Sequence, residues 1–75
     1  MQFKMKVQYL GHTVNASNLH CYDFLDLSTN LPFTIYSMAE NSNYSKFELY
    51  HNYDPTFDLV LQKSKDGIKF KVKGC

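Results

Sequence analysis

Three aromatic side chains on neighbouring stretches, Tyr22, Phe24 and Tyr36, are the groups in this chain best suited to hold a ligand. Their rings can stack on the faces of unpaired nucleobases, a contact worth about 1–3 kcal/mol per base whatever the sequence. Five lysines supply the complementary chemistry: Lys4 and Lys6 near the start, and Lys69, Lys71 and Lys73 near the end. Their ammonium groups neutralise phosphates, and release of the condensed counterions makes such binding salt-dependent. All eight basic residues are Lys, with no Arg. That pattern suits a grip on phosphate more than bidentate reading of base edges, which is the work of Arg. Each feature has a plainer reading. The rings can be buried or can meet a second copy of the chain, and lysines on terminal strands prevent edge-to-edge pairing without any ligand.

Catalytic arrangements are weaker. His20 and Cys21 are adjacent, and neighbours on a strand point to opposite faces, so that adjacency cannot form a nucleophile–base pair. His12, His20, His51 and Cys21 lack metal-ligand spacing. Asp23 and Asp26 have no evident partner carboxylate for acid–base work, and Asp54 before Pro55 reads as a turn residue. The sequence holds no glycine-rich phosphate loop. The chain is therefore read as non-enzymatic, with no cofactor and no metal.

The elements that must carry the rings and lysines read as strands. Phe3, Met5, Val7 and Tyr9 alternate with Gln2, Lys4, Lys6 and Gln8, the period of a half-buried strand. Gly11 ends or bends it, and residues 15–18 form a loop. Residues 19–27 and 31–38 form a hairpin around Ser28-Thr29-Asn30, a three-residue loop with Asn30 left-handed. That register pairs Leu27 with Leu31, Leu25 with Phe33, Asp23 with Ile35 and Tyr22 with Tyr36. It collects His20, Tyr22, Phe24, Thr34, Tyr36 and Met38 on one face and leaves Asp23 as a misfit on the other, apolar face. Residues 39–46 are a polar loop, and 47–50 are a short strand or one helical turn. In the last hairpin Phe57, Leu59 and Leu61 alternate with Asp58, Val60 and Gln62, and Ile68, Phe70 and Val72 with Lys69, Lys71 and Lys73. Asp66-Gly67 as its two-residue turn pairs Leu61 with Val72 and aligns the lysines on one face.

The chain has 75 residues and reads as one domain, residues 1–75, near the lower limit for folding alone. Six Tyr and six Phe are more rings than so small an interior readily hides. The net charge of +1 conceals basic ends around an acidic middle, an asymmetry that points to a polyanion. Two cysteines, Cys21 and Cys75, are not a disulfide framework, so a reduced, cytoplasmic setting is expected, with a Cys21–Cys75 bridge left open. No stretch approaches the roughly 20 apolar residues of a membrane span.

The tyrosine-bearing central hairpin, Cys21-Tyr22-Asp23-Phe24 into Pro32-Phe33-Thr34-Ile35-Tyr36, together with the lysine-rich closing hairpin, resembles small phage and plasmid single-stranded DNA-binding proteins. The resemblance is architectural. It implies an all-β, OB-like antiparallel barrel of five to six strands that dimerises and coats single strands without strong sequence preference. Tyr22, Phe24 and Tyr36 would then stack bases while Lys4, Lys6, Lys69, Lys71 and Lys73 hold phosphates. The alternative is a small modulator of a host or phage protein, with the aromatic face as its recognition patch.

Overall fold

Alternation tells which side chains point inward, and it holds from Phe3 to Tyr9: Phe3 and Met5 are half-buried, Val7 and Tyr9 buried. It does not tell which strand lies alongside. In the computed structural model, which describes residues 1–74, this stretch is two strands in different sheets, β1 (Gln2–Lys4) and β2 (Val7–Val14). The chain changes sheets at Met5-Lys6. There the Met5 amide donates to the Pro55 carbonyl (3.3 Å), and the Leu27 amide donates to the Lys6 carbonyl (3.1 Å). The remaining strands are β3 (His20–Asp26), β4 (Leu31–Ser37), β5 (Asn52–Tyr53), β6 (Thr56–Ser64) and β7 (Gly67–Gly74).

The described residues are all-β, without a helix. They form two antiparallel sheets, one ordered β1-β6-β7 and one ordered β4-β3-β2-β5. The expected closed barrel of five to six strands is therefore corrected: seven strands make two open sheets. Gly11 bends β2 without ending it. Its φ of +135° is open to glycine at low cost, and the ladder to β3 shifts there as a bulge between Tyr9 and Gly11.

The β3–β4 register differs from the expected one by a single residue. Asp26 pairs with Leu31, Phe24 with Phe33, Asp23 with Thr34, Tyr22 with Ile35 and Cys21 with Tyr36. The loop thus has four residues, 27–30, and its chemistry explains the length. The Asp26 carboxylate accepts from the Ser28 amide (2.9 Å) and from the hydroxyls of Ser28 (2.8 Å) and Thr29 (3.0 Å). The Asn30 amide closes on the Asp26 carbonyl at 2.7 Å with Asn30 left-handed at φ 63°, as expected for Asn30. A slip of one residue turns one strand's faces over relative to the other. Tyr22 and Phe24 accordingly join Phe33 and Ile35 on the inner face. Asp23 moves outward, where its carboxylate accepts the Thr34 hydroxyl at 2.6 Å.

The β6–β7 register differs by two, which preserves the faces. Ser64 pairs with Gly67 around Lys65-Asp66, and Leu61 pairs with Phe70. Only Gly67 of this turn has positive φ, +123°, one position later than an Asp66-Gly67 turn requires of its first residue.

The two sheets share one core of Val7, Tyr9, Tyr22, Phe24, Ile35, Tyr44 and Phe57. Across the interface Phe24 and Phe57 meet edge-on at 5.7 Å, and Phe33 and Phe57 at 5.6 Å, geometries that favour aromatic pairs. Tyr44 comes from the segment expected to be only a polar loop. It lies within 5.3–6.1 Å of Tyr22, Phe24, Phe47 and Phe57. Residues 47–50 are neither strand nor helix but lead into turns, with Phe47 stacked on Tyr53 at 3.9 Å. A bridge between Cys21 and Cys75 lies outside the described residues.

Candidate nucleic-acid interface

The register decides the fate of the three expected stacking residues. Tyr22 and Phe24 are fully buried and cannot receive a base, which corrects their assignment. Burying Tyr22 requires a partner for its hydroxyl. The Asn41 amide provides it, donating to the Tyr22 Oη at 2.6 Å, while the ring stacks on His12 at 4.3 Å. Tyr36, one position off the inward phase of β4, keeps 53% of its surface in water.

The lysines divide as well. Directly opposite residues in a ladder share a face. Phe3, Phe57 and Gly74 face the core, so Gln2, Asp58 and Lys73 face outward, and alternation carries Lys4, Lys69 and Lys71 to the same outer side. Lys4, Lys69, Lys71 and Lys73 thus sit on one face of the β1-β6-β7 sheet, diluted by Asp58. Lys6 is apart from them, in the connection between sheets beside Leu27, Tyr53 and Asp54.

The surviving elements meet where β4 and β7 run side by side. A groove of about 570 Å³ lies along this seam, within the size range of small-ligand sites. Tyr36, Met38 and Leu19 line one wall, and Lys71, Lys73 and Val72 line the other. Met38 is 87% exposed. Chemically the groove offers one free ring face, a flexible thioether and two ammonium groups, a set suited to an anion carrying a flat apolar part. Gly74 lets the strands approach. A Cβ there would lie 2.8 Å from the Tyr44 ring and 3.0 Å from Ile35.

One juxtaposition was not legible in the spacing. His12 Nε2 and His20 Nδ1 are hydrogen-bonded at 2.9 Å, one donating and the other accepting. The two residues lie diagonally across β2 and β3, where His12 pairs with Tyr22 and Val14 with His20. Recognising the 15–19 loop as a hairpin turn was the available clue. Among the described residues no group of three or more potential metal ligands forms. Near this cluster, burial raises the Tyr9 phenol above its ordinary value, with the neighbouring Tyr22 and Asp23 adding to the effect. No helix among the described residues is long and apolar enough to cross a membrane.

Comparison with protein-family models, with curated proteins and with solved structures finds no match to this chain.

Proposed function

We propose that the chain is a non-enzymatic, cytoplasmic single-stranded nucleic-acid binder, as its resemblance to small phage and plasmid proteins of that kind implies, with the β4–β7 groove as the contact. The observation that carries the reading is the position of the exposed Tyr36 ring across one groove from Lys71 and Lys73. The ring supplies stacking that tolerates any base. Lys71 and Lys73, continued by Lys69 and Lys4 on the same outer face, supply a track for the backbone. With one ring instead of three, affinity is modest and leans on phosphate contacts.

The test is a salt-titrated anisotropy measurement with a labelled single-stranded oligonucleotide. Neutralising about four phosphates gives a slope of log affinity on log salt near −3, since each contact on a single strand contributes about −0.7. Tyr36→Ala weakens binding by roughly fivefold or more, from at least about 1 kcal/mol of stacking. Lys71→Gln flattens the salt slope, and Lys46→Gln changes neither. Absence of binding at low salt, or a Tyr36→Ala variant that binds as well as the parent, ends this reading. The apolar Leu19 and Met38 favour a second reading, a protein-binding modulator whose groove seats a peptide. Stoichiometric binding of one protein with no oligonucleotide affinity would establish it in place of the first.

A further inference from the structure

The inner face of the β6–β7 ribbon outruns the body that covers it. At its base Phe57 is buried and Leu59 and Val72 are half-buried. Beyond them the same alternation continues to Leu61, Phe70 and Ile68, which are 51%, 69% and 63% exposed. β1 pairs with Thr56–Asp58 of β6 and Met1 adds bonds to the Leu59 amide and carbonyl, so past Leu59 the ribbon is a two-stranded hairpin with no third strand. A two-stranded hairpin is at best marginally stable in water and normally needs a layer against one face. Here the uncovered layer is an extension of the core stripe itself.

We infer that this face packs against the same face of a second copy of the chain, giving a twofold dimer of stacked ribbons. The charge distribution selects this occupant and this geometry. Lys69, Lys71 and Lys73 all project from the opposite, outer face. Stacking two inner faces, with sheets about 10 Å apart, leaves every one of these ammonium groups in water and on the outside of the pair. Edge-to-edge pairing of two β7 strands would instead set the lysine rows beside one another, about 5 Å apart, and like charges so placed repel. An anionic bilayer would want a row of lysines beside the apolar patch, whereas Lys69, Lys71 and Lys73 lie behind it and Lys63 alone flanks it. Lys63, opposite Ile68 at the rim of the patch, can extend its stem over the interface and keep its ammonium group wet. A self-complementary patch on a twofold axis meets its own residues, so Phe70 and Leu61 of each copy cover those of the other. The patch is small, which places the dimer among weak associations that dissociate on dilution. The inference does not rest on the nucleic-acid reading.

Sedimentation velocity without nucleic acid, from micromolar to millimolar protein, tests it. The expected result is a monomer at the lowest concentration and a dimer at the highest. Phe70→Lys should raise the dissociation constant at least tenfold, and Lys69→Gln, on the other face, should leave it unchanged or lower it. Amide chemical shifts of the unaltered chain, followed on dilution, should move around Leu61, Ile68 and Phe70, which locates the interface even if the variant fails to fold. A monomer at every concentration, association unaltered by Phe70→Lys in a folded protein, or dilution shifts confined to other strands would overturn the inference. Binding to anionic vesicles by a protein that stays monomeric would assign the face to lipid instead.

Discussion

At the scale of single residues, the groove depends on an atom that is missing. Gly74 sits where β7 crosses Tyr44 and Ile35, and both neighbours are almost wholly buried. An added methyl group would meet the Tyr44 ring at 2.8 Å, closer than van der Waals contact allows. Overpacking of this kind costs about 1–3 kcal/mol through displaced side chains and backbone. Gly74→Ala should therefore lower the urea midpoint without changing the slope of the transition, and should weaken oligonucleotide binding by moving Lys73 away from Tyr36. A Gly74→Ala protein as stable as the parent would mean that β7 does not approach Tyr44 this closely. The same scale explains Tyr22. Its ring is as suited to stacking as that of Tyr36, and only its phase on the strand keeps it from solvent.

At the scale of elements, the alternation of the sequence was a reliable guide to facing and an unreliable one to pairing. Phe3, Met5, Val7 and Tyr9 do face inward, although a sheet boundary runs through the middle of their run. Leu59 and Val72 do share a face with Leu61 and Phe70, because a register error of two leaves faces alone. In the central hairpin an error of one turned over the faces of β3 alone, bringing Tyr22 and Phe24 inside while Phe33 and Ile35 stayed inside and Tyr36 outside as expected. Asp23 on an apolar face was the mark of that error, since a carboxylate there has no partner, whereas beside Thr34 it has one. The deciding local chemistry is the carboxylate of Asp26, which organises a four-residue loop. Its bonds, first from the Ser28 amide and then from the Ser28 hydroxyl, hold the carboxyl below the ordinary carboxylate value. A group with a lowered folded-state pKa adds stability above its unfolded value, and that stability is lost as pH falls through the folded value. Asp26→Ala should thus lower the urea midpoint at neutral pH, and the gap between variant and parent should close at strongly acidic pH. An equal gap at both ends of the range would show that the loop's length is set by something other than this charge.

At the scale of the whole molecule, two open sheets are joined by a side chain that no strand supplies. Period-two patterning cannot find Tyr44, because its neighbours Asn43 and Ser45 sit in a turn closed by the Asn41 carbonyl, which accepts the Tyr44 and Ser45 amides at 3.1 and 2.9 Å. The turn is in turn fixed to the four-stranded sheet, through the Asn41 amide on the Tyr22 hydroxyl. Tyr44 then lies against Phe24 from that sheet and Phe57 from the other, so its burial is a property of the assembled fold and of no local segment. Truncating a large buried aromatic costs about 3–5 kcal/mol. A chain of 75 residues has roughly 4–11 kcal/mol in total, at about 0.05–0.15 kcal/mol per residue. Tyr44→Ala should therefore lower the melting temperature by more than about 10 °C, at roughly 4–8 °C per kcal/mol for a domain of this size, or abolish the cooperative transition. Tyr44→Phe keeps the ring and loses the hydroxyl contact to the Thr56 carbonyl, a long one at 3.4 Å, so its effect should stay near 1 kcal/mol. Thermal unfolding of the pair separates packing from hydrogen bonding. If both variants melt together, close to the parent, the 39–51 segment is a surface loop and the sheets hold each other through Phe24, Phe33 and Phe57 alone.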